Sequence, residues 1–90
     1  MKTRSKVTIS GRVQNVGFRA FLQSLSNELG VKGWVQNTDD DKVEAVLEGD
    51  TKDIRQVLEA CEVGPRAARV EKIDVVEQPY KGDFENLQVK

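Results

Sequence analysis

An α+β sandwich, with one antiparallel sheet carrying two helices on a single face, is predicted by three observations. The hydrophobic period switches between two and about 3.6 residues in the order strand, helix, strand, strand, helix, strand. Glycines, asparagines or acidic turn residues stand at the switches. The 90 residues are expected to form one domain, residues 1–90, because a chain of this length buries only about 60% of its unfolded surface.

Val7, Ile9 and Val13 alternate with Thr8, Ser10 and Arg12, the period of a half-buried strand that ends near Val13. Gln14 to Gly17 interrupt it. Phe18, Phe21, Leu22, Leu25 and Leu29 then fall three and four apart, the stripe of an amphipathic helix, and Gly30 suits its C-terminal stop. Val31 to Thr38 reads as a second strand. Val43, Ala45 and Leu47 alternate again after the turn Asp39-Asp40-Asp41, so the two strands are expected as a hairpin. Thr51 is placed as the cap of a second helix, on which Ile54, Val57, Leu58 and Cys61 form the apolar stripe and Gly64-Pro65 the stop. Arg69 to Val76 follows as a strand. Val70, Ile73 and Val75 do not share one alternation, which predicts a bulge or register change there. Phe84, Leu87 and Val89 suggest a short extra C-terminal strand. The order is that of ferredoxin-like βαββαβ sandwiches, an architecture that hosts many functions and leaves the argument to the site.

Composition narrows the chemistry. With 38% hydrophobic and 32% charged residues the chain supports a modest core and reads as a soluble globular protein. A formal charge of -1 without a long basic run excludes the electrostatic footprint of a nucleic-acid binder. No apolar stretch has the length of a membrane span or the form of a secretory signal, and the single cysteine allows no internal disulfide, so a cytoplasmic location without a membrane partner is expected. The absence of histidine excludes His-based nucleophilic triads, and one cysteine cannot assemble a zinc site. No metal and no cofactor are expected. Cys61, on an apolar stripe and without a basic partner, reads as a packed, inert thiol. Trp34 reads as core or as a cover on an open sheet face. Asp39 to Asp41 read as a solvated turn with too few ligands for calcium.

The informative segment is Gln14-Asn15-Val16-Gly17-Phe18-Arg19, between a strand that ends and a helix that begins. The first N–H groups of a helix lack internal acceptors, and a turn just before it can aim further N–H groups at one anion. Gly17 permits close backbone approach and Asn15 tolerates a left-handed conformation. Arg19 adds a planar fork that takes two phosphate oxygens at once. By spacing alone, the commoner reading of such a turn is an ordinary loop with a solvated arginine, and Asn37 alone reads as a strand-end residue.

The full strings carry more. GRVQNVGFR, Gly11 to Arg19, resembles the signature of the acylphosphatase family, in which the loop after the first strand cradles phosphate and its final arginine binds it. Arg19 takes that place. GWVQNTDDDKVEAVLEG, Gly33 to Gly49, resembles the family's second signature, where an asparagine on the second strand holds the attacking water, and Asn37 stands there. Gly64-Pro65-Arg66, Ala68-Arg69-Val70 and Tyr80-Lys81-Gly82-Asp83-Phe84 extend the likeness over nearly the whole chain. The resemblance implies hydrolysis of the carboxyl-phosphate bond of small acyl phosphates to carboxylate and inorganic phosphate. Its catalytic residues are Arg19 and Asn37, its phosphate loop Gln14, Asn15, Val16, Gly17, Phe18 and Arg19, and inorganic phosphate is product and inhibitor. The chain is expected to act as a monomer.

Two positions depart from the family pattern, which usually has glycine at Asn15 and at Asp41. Asparagine and aspartate are the non-glycine residues that best tolerate positive φ, so both turns are expected to survive. Two other functions compete. A single-stranded RNA-binding module shares the strand order but needs paired aromatics on the sheet, of which only Trp34 is placed on a strand. A non-catalytic anion-binding domain, like the acylphosphatase-like modules of larger carbamoyl-transferring maturation proteins, would carry the same loop without turnover.

Overall fold

The alternation seen over Val7 and Ile9 extends in both directions in the computed structural model, which describes residues 1–90. The first strand, β1, runs Lys2–Arg12 and sends Ser5, Val7 and Ile9 into the interior. It is followed by α1 (Phe18–Leu29), β2 (Lys32–Asn37), β3 (Val43–Asp50), α2 (Thr51–Val63), β4 (Arg69–Gln78) and β5 (Leu87–Val89). The strands form one sheet in the order β4-β1-β3-β2-β5. β1 lies antiparallel between β3 and β4, and β2 pairs antiparallel with β3. The expected C-terminal strand is present and adds to the β2 edge in parallel, which makes the sheet mixed. It is shorter than expected. Phe84 stays outside it, with the Arg4 guanidinium 5.2 Å from its ring centroid, because a parallel neighbour must first be reached by a connection across the sheet.

Both helices cover one face. Phe18 and Leu22 of α1 and Ile54, Val57 and Cys61 of α2 meet Val7, Ile9, Val35, Val43, Ala45, Leu47 and Leu87 in the core, while Phe21, Leu25, Leu29 and Leu58 pack around its margin. Gly30, at φ 75°, ends α1 as its position predicts. Thr51 does not act as the cap of α2. It is the first helical residue, Asp50 holds the cap position without a side-chain bond to the helix, and the Thr51 hydroxyl donates to the Met1 carbonyl at 3.1 Å instead. Burial pushes the Cys61 thiol up to about 12, so almost no thiolate exists near neutrality and the thiol is inert.

The irregularity predicted in the fourth strand is a bulge. Ser10 pairs with Lys72 and Gly11 with Val70, leaving Glu71 as the extra residue. Gly11 sits against it at φ 122°, where a Cβ would lie 2.2 Å from the Arg69 carbonyl oxygen. Only glycine fits, and the bend it allows re-aims β1 just before the loop of interest.

On the face away from the helices, Trp34 is half-buried with the Lys90 ammonium 4.2 Å from its ring, consistent with a cover for the open sheet. The segment 79–86 crosses that face on its way from β4 to β5. Lys81 and Gly82 donate their backbone N–H groups to the Glu48 carboxylate at 2.9 and 3.1 Å. The β2–β3 turn is solvated, with Asp39, Asp40 and Asp41 all exposed. A hydrogen bond from the Thr38 hydroxyl is the main cause that holds the Asp40 carboxyl below its ordinary value.

Candidate active site

Val13, almost fully buried, anchors the end of β1, and α1 begins at Phe18. Between them burial alternates, with Gln14 and Val16 half-buried and Asn15 and Gly17 exposed. Val16 packs on the core, and Phe18 lies within it, edge-on to Phe21 with ring centroids 5.8 Å apart. Gln14 does more than occupy the loop. Its Nε2 donates to the carbonyls of Thr38 at 2.8 Å and Lys42 at 2.9 Å, tying the loop to the turn that follows Asn37. The two sequence motifs are therefore fastened by one amide side chain.

Asn15 has φ 61° and Gly17 has φ 79°, so left-handed residues alternate with their neighbours, the kind of backbone that can turn successive N–H groups toward one anion. None of the backbone N–H groups from Gln14 to Ala20 donates to a backbone acceptor; the first such bond of α1 runs from Phe21 to the Gly17 carbonyl. The first turn of α1 carries no acidic residue that would satisfy the positive end of the helix. The site is thus a cluster of free donors at a helix N-terminus, which favours an anion.

Arg19, in that first turn, is half-buried, and its Nη1 donates to the main-chain oxygen of Lys90 at 3.0 Å. The bond fixes one side of the guanidinium against the end of β5. Asn37 is the last residue of β2, paired with Val43. Asn15, Gly17, Phe18, Arg19 and Asn37 line one cavity of about 370 Å³, together with Val13, Ala20, Gln23 and Val89, within the size range of small-molecule sites. The structure therefore brings Arg19 and Asn37 together, while Gln14 and Val16 support the loop from behind. Arg19 is the only ionisable side chain in the lining. No three His, Cys, Asp or Glu residues anywhere converge as metal ligands.

Besides Val13, Ala20 and Val89 of the lining, two polar participants escaped the sequence reading. Gln23, four residues after Arg19 and so on the same helix face, could have been found by that spacing. The main-chain oxygen of Lys90 could not, because it reaches Arg19 only through the parallel docking of β5.

Residues 5–89 match the family model described as Acylphosphatase. The chain is 41% identical over 88 residues to a protein of Syntrophobacter fumaroxidans named acylphosphatase, covering 98% of this chain and 91% of that one. It is 46% identical over 87 residues to a protein of the same name from Pyrobaculum aerophilum, covering 96% and 92%. Among solved structures, the acylphosphatase of Bacillus subtilis superposes with a TM-score of 0.94 at 31% identity, over 100% of this chain and 99% of that one.

Proposed function

The chain belongs to the acylphosphatase family, and from that premise we propose that it hydrolyses the carboxyl-phosphate bond of acyl phosphates in the cavity between the 14–19 loop and Asn37. One observation carries the assignment of the site. Asn15 and Gly17 of the loop, whose N–H groups have no backbone acceptor, line a single cavity with Arg19 and Asn37, and Arg19 is its only ionisable group.

Such a set suits this reaction. An acyl phosphate is a mixed anhydride whose leaving group is a carboxylate with a pKa of about 4, so it departs without protonation. The loop N–H groups and Arg19 bind the phosphoryl oxygens and offset their charge, and the Asn37 amide orients a water for in-line attack. As the P–O bond to the acyl oxygen breaks, the carboxylate leaves with the electron pair, and the proton of the attacking water passes to a phosphoryl oxygen. No side chain in the lining is a base. Phosphate monoesters, whose alkoxide leaving groups need an acid, are expected to react poorly.

The chemistry calls for no metal, since the lining offers no carboxylate, thiolate or imidazole donor; turnover of benzoyl phosphate in the presence of a chelator checks this. Inorganic phosphate, which satisfies the same donors as substrate, should inhibit competitively. We further propose a cytoplasmic monomer with one domain over residues 1–90, to be checked by cell fractionation and sedimentation. No helix is long and apolar enough to cross a membrane.

The role of Asn37 is tested by separating chemistry from binding. Loss of a single positioned polar group typically costs about a hundredfold in turnover, and Asn37→Ala should lower kcat by that amount while the phosphate inhibition constant stays within about twofold. A folded Asn37→Ala protein with normal kcat would remove water positioning from its account. The pH dependence offers a second check. With no histidine in the chain and Arg19 alone ionisable in the lining, kcat should be level from about pH 6 to pH 9. A bell-shaped profile there would reveal an enzyme acid or base.

The two departures from the family pattern both adopt positive φ, Asn15 at 61° and Asp41 at 68°, as their residue types allow. Asn15→Gly and Asp41→Gly release that strain, although glycine adds about 0.5–1 kcal/mol of unfolded-state entropy in opposition. Benzoyl phosphate turnover should be retained or raised in each, and a severe loss would mean that the side chain itself takes part.

A further inference from the structure

The cavity lining includes Ala20, Gln23 and Val89 beyond the loop residues and Asn37, and we infer that these three form an acyl subsite selective for uncharged acyl groups. The inference rests on the hydrolase reading above and adds the class of acyl group. In-line displacement sends the leaving carboxylate away from the attacking water, so the acyl chain must lie against lining that neither grips phosphate nor holds water. Of what remains, Val13 and Phe18 are each 1% exposed and offer little surface. Ala20 is exposed and Val89 is 40% exposed. Ala20 and Gln23 are three apart on α1, and Gln23 is four from Arg19, so the wall continues from the phosphate end along the next turn of the helix. Gln23 fixes that wall, because its Nε2 donates to the Leu87 carbonyl at 3.2 Å and spans the gap between α1 and β5.

Charge decides the class of acyl group. Arg19, the only charged lining residue, is directed to phosphate and to the main-chain oxygen of Lys90. Lys90 follows Val89 directly but holds its ammonium over the Trp34 ring on the opposite sheet face. An acyl chain with a second anionic group would therefore meet only apolar and neutral amide lining and find no cation to offset its charge. A flat apolar acyl group instead covers the Ala20 methyl and the Val89 isopropyl.

The test compares benzoyl phosphate with 4-carboxybenzoyl phosphate, which share a ring and differ by one remote charge. Wild-type protein should prefer benzoyl phosphate by about tenfold or more in kcat/KM. Ala20→Lys, a change to another good helix former at an exposed site, should reduce that preference at least fivefold or so by supplying the missing cation. Val89→Ala should lower the ratio of benzoyl to acetyl phosphate by about threefold or more, through lost apolar contact. Thermal melts establish that both variants fold. Equal use of the two benzoyl substrates by wild type, or ratios that neither variant moves, would overturn the subsite while the hydrolase reading stood. Failure to cleave any acyl phosphate would overturn the hydrolase reading itself.

Discussion

Replacement of Arg19 by alanine should lower kcat/KM for benzoyl phosphate by about 10³-fold, close to 4 kcal/mol, the upper range for removing a preorganised donor. Three features put the expectation there. Arg19 supplies the only charge in the cavity lining. It stands in the first turn of α1, where the loop N–H groups and the helix dipole already favour an anion, so its charge adds to a field in place before substrate arrives. Its Nη1 bond to the Lys90 main-chain oxygen holds the guanidinium in one orientation, so little reorganisation accompanies the reaction. Because Arg19 binds phosphate in ground and transition states alike, the phosphate inhibition constant should rise too, unlike in Asn37→Ala. Arg19→Lys should restore little, since an ammonium cannot keep the Lys90 contact and present a planar fork to phosphate at the same time. Circular dichroism and thermal melts must show both variants folded. Phosphate inhibition and turnover unchanged in a folded Arg19→Ala protein would mean that the loop amides alone form the site.

How much of this was legible in the sequence depended on how local the cause was. Stripes at helical and strand period placed both helices and the four long strands, because each element buries one face of its own residues. Glycine, asparagine and aspartate placed the turns, and Asn15 and Asp41 adopt the positive φ that their types suggest. Arg19 and Asn37 were legible through the two motif strings, although their meeting in one cavity depends on strand order. Long-range features were hidden. Alternation over Val43, Ala45 and Leu47 assigns Glu48 to the face away from the helices, which reads as solvent; the crossing of residues 79–86 makes it 3% exposed. Gln14 gave no sign that its amide would reach the carbonyls of Thr38 and Lys42 across the chain. Thr51 looked like a cap because a hydroxyl stood at the start of a helical period, yet the nearby Met1 carbonyl takes that hydroxyl.

The buried Glu48 should prove the most sensitive point for stability. Its carboxylate accepts the N–H groups of Lys81 and Gly82, and Arg4 Nη1 lies 3.3 Å from Glu48 Oε2, with side-chain exposures of 14% for Arg4 and 3% for Glu48. Arg4 is held further by its Nε bond to Gln78 at 3.0 Å and by its place over Phe84. Glu48→Ala would leave two backbone donors without an acceptor and a mostly buried guanidinium without its partner. Breaking a buried pair in this way costs about 3–5 kcal/mol, and at about 4–8 °C per kcal/mol for a domain of this size the melting temperature should fall by more than about 12 °C. Glu48→Gln keeps one carbonyl oxygen and should lose less. The pair need not be better than apolar packing, so the double variant Arg4→Met with Glu48→Met should be destabilised by less than the sum of the single changes. There is a functional consequence as well, because the segment that Glu48 holds leads into β5, and Lys90, directly after β5, supplies the main-chain oxygen that orients Arg19. Well below the melting temperature, Glu48→Gln should therefore weaken phosphate inhibition by a few-fold. A melting temperature for Glu48→Ala within about 4 °C of wild type, roughly 1 kcal/mol or less, would show that the carboxylate does not hold the 79–86 segment to the sheet, and with it would go the link from this face to the site.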